Sequence, residues 1–213
     1  MDLKKLRKLI SFFFLFIFFP SYLLPYPKTN SELAFITNQE SNKVDVIDLK
    51  KRKKIYEFNV GSKPAGIHVD SEKKKIFVAN PESNNLSIID LKNKSNTFIE
   101  AGESPITVNF YKKKKMLFAS NWYNNTVTVI DLSKKKIKKV IPVGKSPAGL
   151  YIDKKNNKLF VANREDNNVS VVDIEYLKEI KKIQVQSAPF GVFSDKDSEY
   201  IFITNVQSNS VSL

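Results

Sequence analysis

From Leu33 onward, short apolar runs alternate with polar punctuation. Val127-Thr128-Val129-Ile130 and Val169-Ser170-Val171-Val172 show the period-two alternation of half-buried strands, and comparable runs rich in Val, Ile and Phe recur along the chain. Asn, Ser, Lys and Pro fill the gaps, as turns between strands require. After residue 28 nothing sustains the 3.6-residue period of an amphipathic helix. The pattern predicts an all-β protein.

The runs are copies of one another. Phe-x-x-Asn recurs at Phe35–Asn38, Phe77–Asn80, Phe118–Asn121, Phe160–Asn163 and Phe202–Asn205, with asparagine spacings of 42, 41, 42 and 42. Asp48, Asp90, Asp131 and Asp173 each follow an asparagine by ten residues, and Pro64, Pro105, Pro147 and Pro189 keep the same register. Repeats of this length indicate a propeller or a solenoid. Each full unit divides into four short strands; between Pro64 and Ala101 they are KPAGIHVD, IFVAN, LSIIDL and NTFIEAG. Four antiparallel strands in about forty residues match a β-propeller blade. A leucine-rich horseshoe needs a shorter repeat, and helical repeats need a helical period.

The stretch VIPVGKSPAGLYIDKKNNKLFVANREDNNVSVVDI resembles the YVTN family of β-propeller repeats, and the resemblance extends from about Leu33 to the end of the chain. It implies a ring, usually of seven blades. It implies little about activity, because relatives include surface-layer proteins, exported proteins associated with quinone-dependent oxidation, and domains of larger redox enzymes. The chain departs from the pattern where the usual Asp-Gly turn before the Phe strand is replaced by lysine-rich turns such as YKKKKML.

Counting strands predicts a partial blade over 33–60, full blades over 64–101, 105–143 and 147–185, and a second partial blade over 189–213. Both partial units contain strands two and three, so they cannot merge into one. The expected architecture is therefore about four and a half blades of a truncated or open ring. Unpaired end strands in such an arc invite self-association.

The N-terminus has a different character. Lys4, Lys5, Arg7 and Lys8 precede an almost unbroken apolar run from Leu9 to Phe19, the pattern of a secretory signal. The run reaches at most Leu24, short for a spanning helix of ~20 residues. Residues 1–27 are expected to be a signal peptide or membrane anchor, which places residues 28–213 in the periplasm or at the cell surface. The absence of cysteine excludes disulfides, thiolate metal sites, thioether-linked haem and a lipidated N-terminal Cys. With His68 as the one histidine, the composition argues against zinc or copper and implies no cofactor.

Charge changes the picture further. Strands alternate in direction within a blade, so turns joining strands one to two and three to four share one face of the disc. That face collects 26 of the 35 basic residues against 12 acids, in runs such as KKRKK (50–54), KKKK (112–115) and KKKIKK (134–139). The other face holds four bases (Lys43, Lys63, Lys145, Arg164) and six acids (Glu40, Glu82, Glu100, Glu103, Glu165, Asp166). A face near +14 would be drawn to an anionic membrane surface. The plainer account is a solvated set of turn residues that serves solubility. Arginine is scarce and aromatics do not interleave the lysines, so nucleic acid is not an expected partner.

The second face carries the tips that differ between repeats: NQESNK, NPESNN, NWYNNT, NREDNN and NVQSNS. Variable loops on a rigid scaffold suit ligand or protein contacts. Trp122 and Tyr123 form the one aromatic tip, and Arg164 with Glu165 and Asp166 the one charged tip cluster, so these are the candidate contact residues. His68 lies in an inner strand beside the expected channel, where Asn109, Tyr151 and Phe193 hold the matching positions. A lone histidine there reads first as a hydrogen-bonded filler and second as a ligand. The recurring aspartates read as acceptors for turn N–H groups rather than as an acid array. No nucleophile–base pair or phosphate-cradling glycine loop appears. The sequence therefore predicts an exported, non-enzymatic binding or scaffold propeller of the cell envelope. Two other readings are the propeller portion of a larger redox or lactonase-like enzyme and a membrane-surface module working through the basic face.

Overall fold

The computed structural model describes residues 32–195 and 199–213, so the expected signal or anchor at 1–27 lies outside the described residues. Blade one comprises β1 (Leu33–Asn38), β2 (Lys43–Asp48) and β3 (Lys53–Asn59). Blade two comprises β4 (Ile67–Asp70), β5 (Lys75–Asn80), β6 (Asn85–Asp90) and β7 (Ser95–Glu100). Blade three comprises β8 (Pro105–Tyr111), β9 (Met116–Asn121), β10 (Thr126–Asp131) and β11 (Lys136–Pro142). Blade four comprises β12 (Pro147–Asp153), β13 (Lys158–Asn163), β14 (Asn168–Asp173) and β15 (Lys178–Gln184). Blade five comprises β16 (Pro189–Ser194), β17 (Ile201–Asn205) and β18 (Ser210–Ser212). In every sheet, strands adjacent in sequence pair antiparallel, which is the up-and-down order of a propeller blade. The protein is an all-β propeller arc, and its strands fall where the repeat predicts them. Two short 3₁₀ turns, Pro81–Ser83 and Lys112–Lys114, were not foreseen.

Alternating strand residues build the core between blades. Phe77, Leu86, Ile88 and Ile99 of blade two pack against Val108, Phe110, Leu117 and Ile130 of blade three. Phe118, Val127, Val129 and Ile141 then meet Leu150, Ile152, Leu159 and Val172 of blade four. Ala162 and Val169 of blade four meet Val192 and Ile203 of blade five. From blade two to blade five, the forward face of one blade thus packs on the back face of the next. Fully burying one such side chain contributes about 1.5–3 kcal/mol.

The repeated polar residues hold the turns. Nδ2 of Asn80 donates to Asn85 Oδ1 (2.8 Å) and Ser87 Oγ (2.9 Å). Asn121 donates to Thr126 and Thr128, and Asn163 to Asn168 and Ser170, in the same way. A glycine lies over three of these amides: a Cβ on Gly61, Gly102 or Gly144 would come within 2.5–2.7 Å of Asn80, Asn121 or Asn163. The recurring aspartates accept backbone N–H groups as expected, Asp90 from Lys92, Asp131 from Ser133 and Lys134, and Asp173 from Glu175 and Tyr176.

Backbone hydrogen bonds sort the turns onto two faces. On one, Leu91 N–H donates to the Lys74 carbonyl, Leu132 to Lys115 and Ile174 to Asn157. There Arg52, Lys74, Lys94, Lys115 and Lys135 sit in the left-handed region, with φ between 50° and 58°. On the other, Trp122 N–H donates to the Ser104 carbonyl and Arg164 to Ser146. Part of the positive charge differs from expectation in its placement. Lys53, Lys54, Lys136, Lys138, Lys139, Lys178, Lys181 and Lys182 lie in the outer strands β3, β11 and β15, so the basic surface runs from the turns up the rim.

Candidate binding face on the loop side

The loop face owes its shape to one residue of each tip. Asn42, Asn84, Asn125 and Asn167 adopt left-handed φ between 53° and 56°, a conformation asparagine tolerates well. Each side-chain oxygen then accepts a backbone N–H from the loop entering the next blade, at Lys63, Ser104, Ser146 and Ala188 respectively, over 2.9–3.0 Å. These asparagines are structural. They hold the neighbouring, variable tip residues at fixed positions over the core.

Between the tips and loops of blades one to three lies a groove of about 920 Å³. Tyr123, Glu82, Glu103, Lys63, Gln39 and Ile106 are among its lining residues. Tyr123 is 73% exposed, so its ring is free for contact. The groove combines one aromatic ring, two carboxylates, one ammonium group and an apolar floor residue. Such a mixture binds through stacking, charge and hydrogen bonds.

The aromatic tip divides between two neighbourhoods. Tyr123 enters the groove, whereas the Trp122 ring lies under the Arg164 guanidinium, 6.0 Å from its centroid. Arg164 in turn pairs with Glu165 at 2.5 Å. Trp122 and Arg164 therefore form one unit across blades three and four.

His68 belongs to a third place. Its Nδ1 is 3.0 Å from Asn109 Oδ1, and Asn109 Nδ2 donates to the Leu150 carbonyl at 2.6 Å. A carbonyl only accepts, so the amide orientation is fixed and His68 Nδ1 carries the hydrogen. Burial holds the imidazole below its ordinary pKa, against the opposing pull of the Asn109 bond. One position further round, Ser194 Oγ bonds the Tyr151 hydroxyl. His68, Asn109 and Tyr151 hold matching positions of three successive inner strands, and with Ser194, one residue beyond the matching Phe193, they form two polar links between blades. It is not brought together with Trp122, Tyr123 or Arg164.

Sequence reasoning placed Lys63, Glu82 and Glu103 on this face without marking them as site residues. They could have been found by asking which residues flank the tips and entry loops of the repeats next to Tyr123. Among the described residues, no group of three or more His, Cys, Asp or Glu is arranged to hold a metal ion. Nor is any helix among them long and apolar enough to cross a membrane.

No family model matches the chain, and no curated protein does. Among solved structures, hydrazine synthase of Kuenenia stuttgartiensis is similar, with a TM-score of 0.56 and 16% identity over 84% of this chain and 79% of that one. At this identity the likeness shows the shared propeller fold and carries no activity across.

Proposed function

We propose that the chain is an exported, non-enzymatic scaffold of YVTN type that binds a cationic protein segment or ligand on its loop face. The observation that carries this reading is the groove in which Tyr123 stands with Glu82 and Glu103. An aromatic face and two carboxylates suit an amine or a guanidinium. Residues 1–27 support export by their basic start and apolar run. Trp122, the one tryptophan, lies on the same face and reports binding by fluorescence. Titration with a short oligo-arginine peptide is expected to shift its emission, and an oligo-glutamate peptide is not. Tyr123→Ala and Glu82→Gln/Glu103→Gln are expected to weaken the response at least several-fold. Equal responses to both peptides, or none to either, would sink the reading.

A second reading has its own observation. The turn hydrogen bonds that gather Lys74, Lys115 and Asn157 on one side support a basic face pressed against anionic lipid. Each well-placed lysine contributes roughly 1 kcal/mol near such a surface. Binding to phosphatidylglycerol vesicles should collapse between low and high salt; binding that is indifferent to salt excludes this reading.

A further inference from the structure

Both signs of charge stand in the loop-face groove without neutralising each other. Lys63, Glu82 and Glu103 all line it, and all three are exposed. Among the described residues, none of these three side chains takes part in an ion pair. Elsewhere the chain does pair lysines with carboxylates of adjacent blades, Lys112 with Glu72 and Lys114 with Glu175. In the groove the backbone sets the spacing. Lys63 N–H donates to Asn42 Oδ1 at 2.9 Å, and Glu103 N–H donates to Asn124 Oδ1 at 2.5 Å. Glu82 lies in the 3₁₀ turn Pro81–Ser83, and the Asn84 that ends this turn accepts the Ser104 N–H. The three charges therefore sit on loops clasped to other loops, which is a pre-organised arrangement for a ligand.

We propose that the groove takes a ligand carrying both charges, a cationic side chain and a carboxylate close to it, as in a peptide that ends in Arg or Lys. The proposal rests on the cationic-ligand reading above and adds to it a role for Lys63. The cation goes to Tyr123 with Glu82 and Glu103, and the carboxylate to the Lys63 ammonium group. Ala65, Pro81 and Ile106 supply apolar surface for the aliphatic stem of the cationic residue. A purely cationic ligand leaves Lys63 as a repelling neighbour, and a purely anionic one meets two carboxylates. A ligand with both charges satisfies all three groups, so selectivity comes from repulsion of the others as well as from attraction.

Three peptides test this on the full chain by calorimetry at low salt: acetyl-Gly-Gly-Arg as the free acid, the same peptide as its amide, and acetyl-Gly-Gly-Arg-Asp amide. The free acid is expected to bind roughly three-fold tighter than the amide, as one exposed charge pair allows. Lys63→Gln should erase that preference by weakening the acid and not the amide. The substitution keeps the backbone N–H that Asn42 holds and changes an exposed side chain. Lys145→Gln, on the same face but outside the groove, should leave the preference intact. The Arg-Asp amide tells the two sources of carboxylate apart: binding like the acid assigns a side chain, binding like the amide assigns the chain end. If neither carboxylate peptide binds better than the amide, the proposal is overturned while the cationic reading stands. It is also overturned if Lys145→Gln erases the preference as fully as Lys63→Gln, since the effect would then be one of overall charge. No binding of any of the three removes both readings.

Discussion

Asn80, Asn121 and Asn163 are buried polar side chains in an apolar interior, each kept there by the two hydrogen bonds that its Nδ2 makes across the turn. Asn121→Ala should cost about 1–3 kcal/mol in urea unfolding, because it leaves the Thr126 and Thr128 hydroxyls without this partner. Gly102→Ala should be at least as costly. It combines a φ of 121° with a Cβ only 2.5 Å from the Asn121 amide, whereas Gly61 and Gly144 face the clash alone. A neutral result for Gly102→Ala would show that the Asn121 amide can move aside. Two aspartates supply a pH dependence. The hydrogen bond from Lys75 holds the Asp90 carboxyl below its usual value, and Lys158 does the same for Asp173. A carboxylate whose pKa is depressed in the folded state contributes stability above its unfolded value, and that contribution is lost as pH falls through the folded one. The urea midpoint should therefore fall as pH drops below about 4, and fall less in Asp90→Asn/Asp173→Asn. A double variant with the parent's acid profile would remove these pairs as the cause.

Within the blades, burial depends on the neighbour as much as on the sequence. Ile141 and Ile183 hold the same place in β11 and β15, paired with Val127 and Val169, yet Ile141 is buried and Ile183 half-open. Ile141→Ala should cost about 2–5 kcal/mol, as large-to-small changes in cores do, and Ile183→Ala under about 1 kcal/mol. Equal costs in thermal or urea melts would mean that the outer strand of blade four is covered in solution. The same contrast shows what the sequence made legible. Phe118, Val127 and Val129 were readable as core because they recur in register, and the strands followed from them. The opening of Ile183 was not readable, since it holds in its blade the place that the buried Ile141 holds in the one before. The site was legible in part: Tyr123 stood out as an odd aromatic in a tip. Its separation from Trp122, and its company with Glu82 and Glu103, depend on which adjacent blade each side chain leans toward. That is a matter of three-dimensional packing that a one-dimensional repeat does not encode.

Across the whole molecule, both faces place residues with a Cβ in the left-handed conformation, Lys63, Ser104, Ser146 and Ala188 on the loop side among them. Each blade-to-blade clasp on the loop side uses an asparagine in the left-handed conformation, a residue suited to it. The opposite face asks the same conformation of Arg52, Lys74, Lys94, Lys115 and Lys135. A side chain with a Cβ is disfavoured there by roughly 1–2 kcal/mol, and glycine would meet the turn without that penalty. Lys74→Gly and Lys115→Gly should each raise the unfolding free energy by up to about 1 kcal/mol. If the second reading of the basic face holds, the same variants should loosen the hold on anionic vesicles. Stability and lipid affinity moving in opposite directions would mark these turns as places where the fold has ceded comfort to charge. Turns that gain nothing from glycine would mark them as unstrained scaffolding.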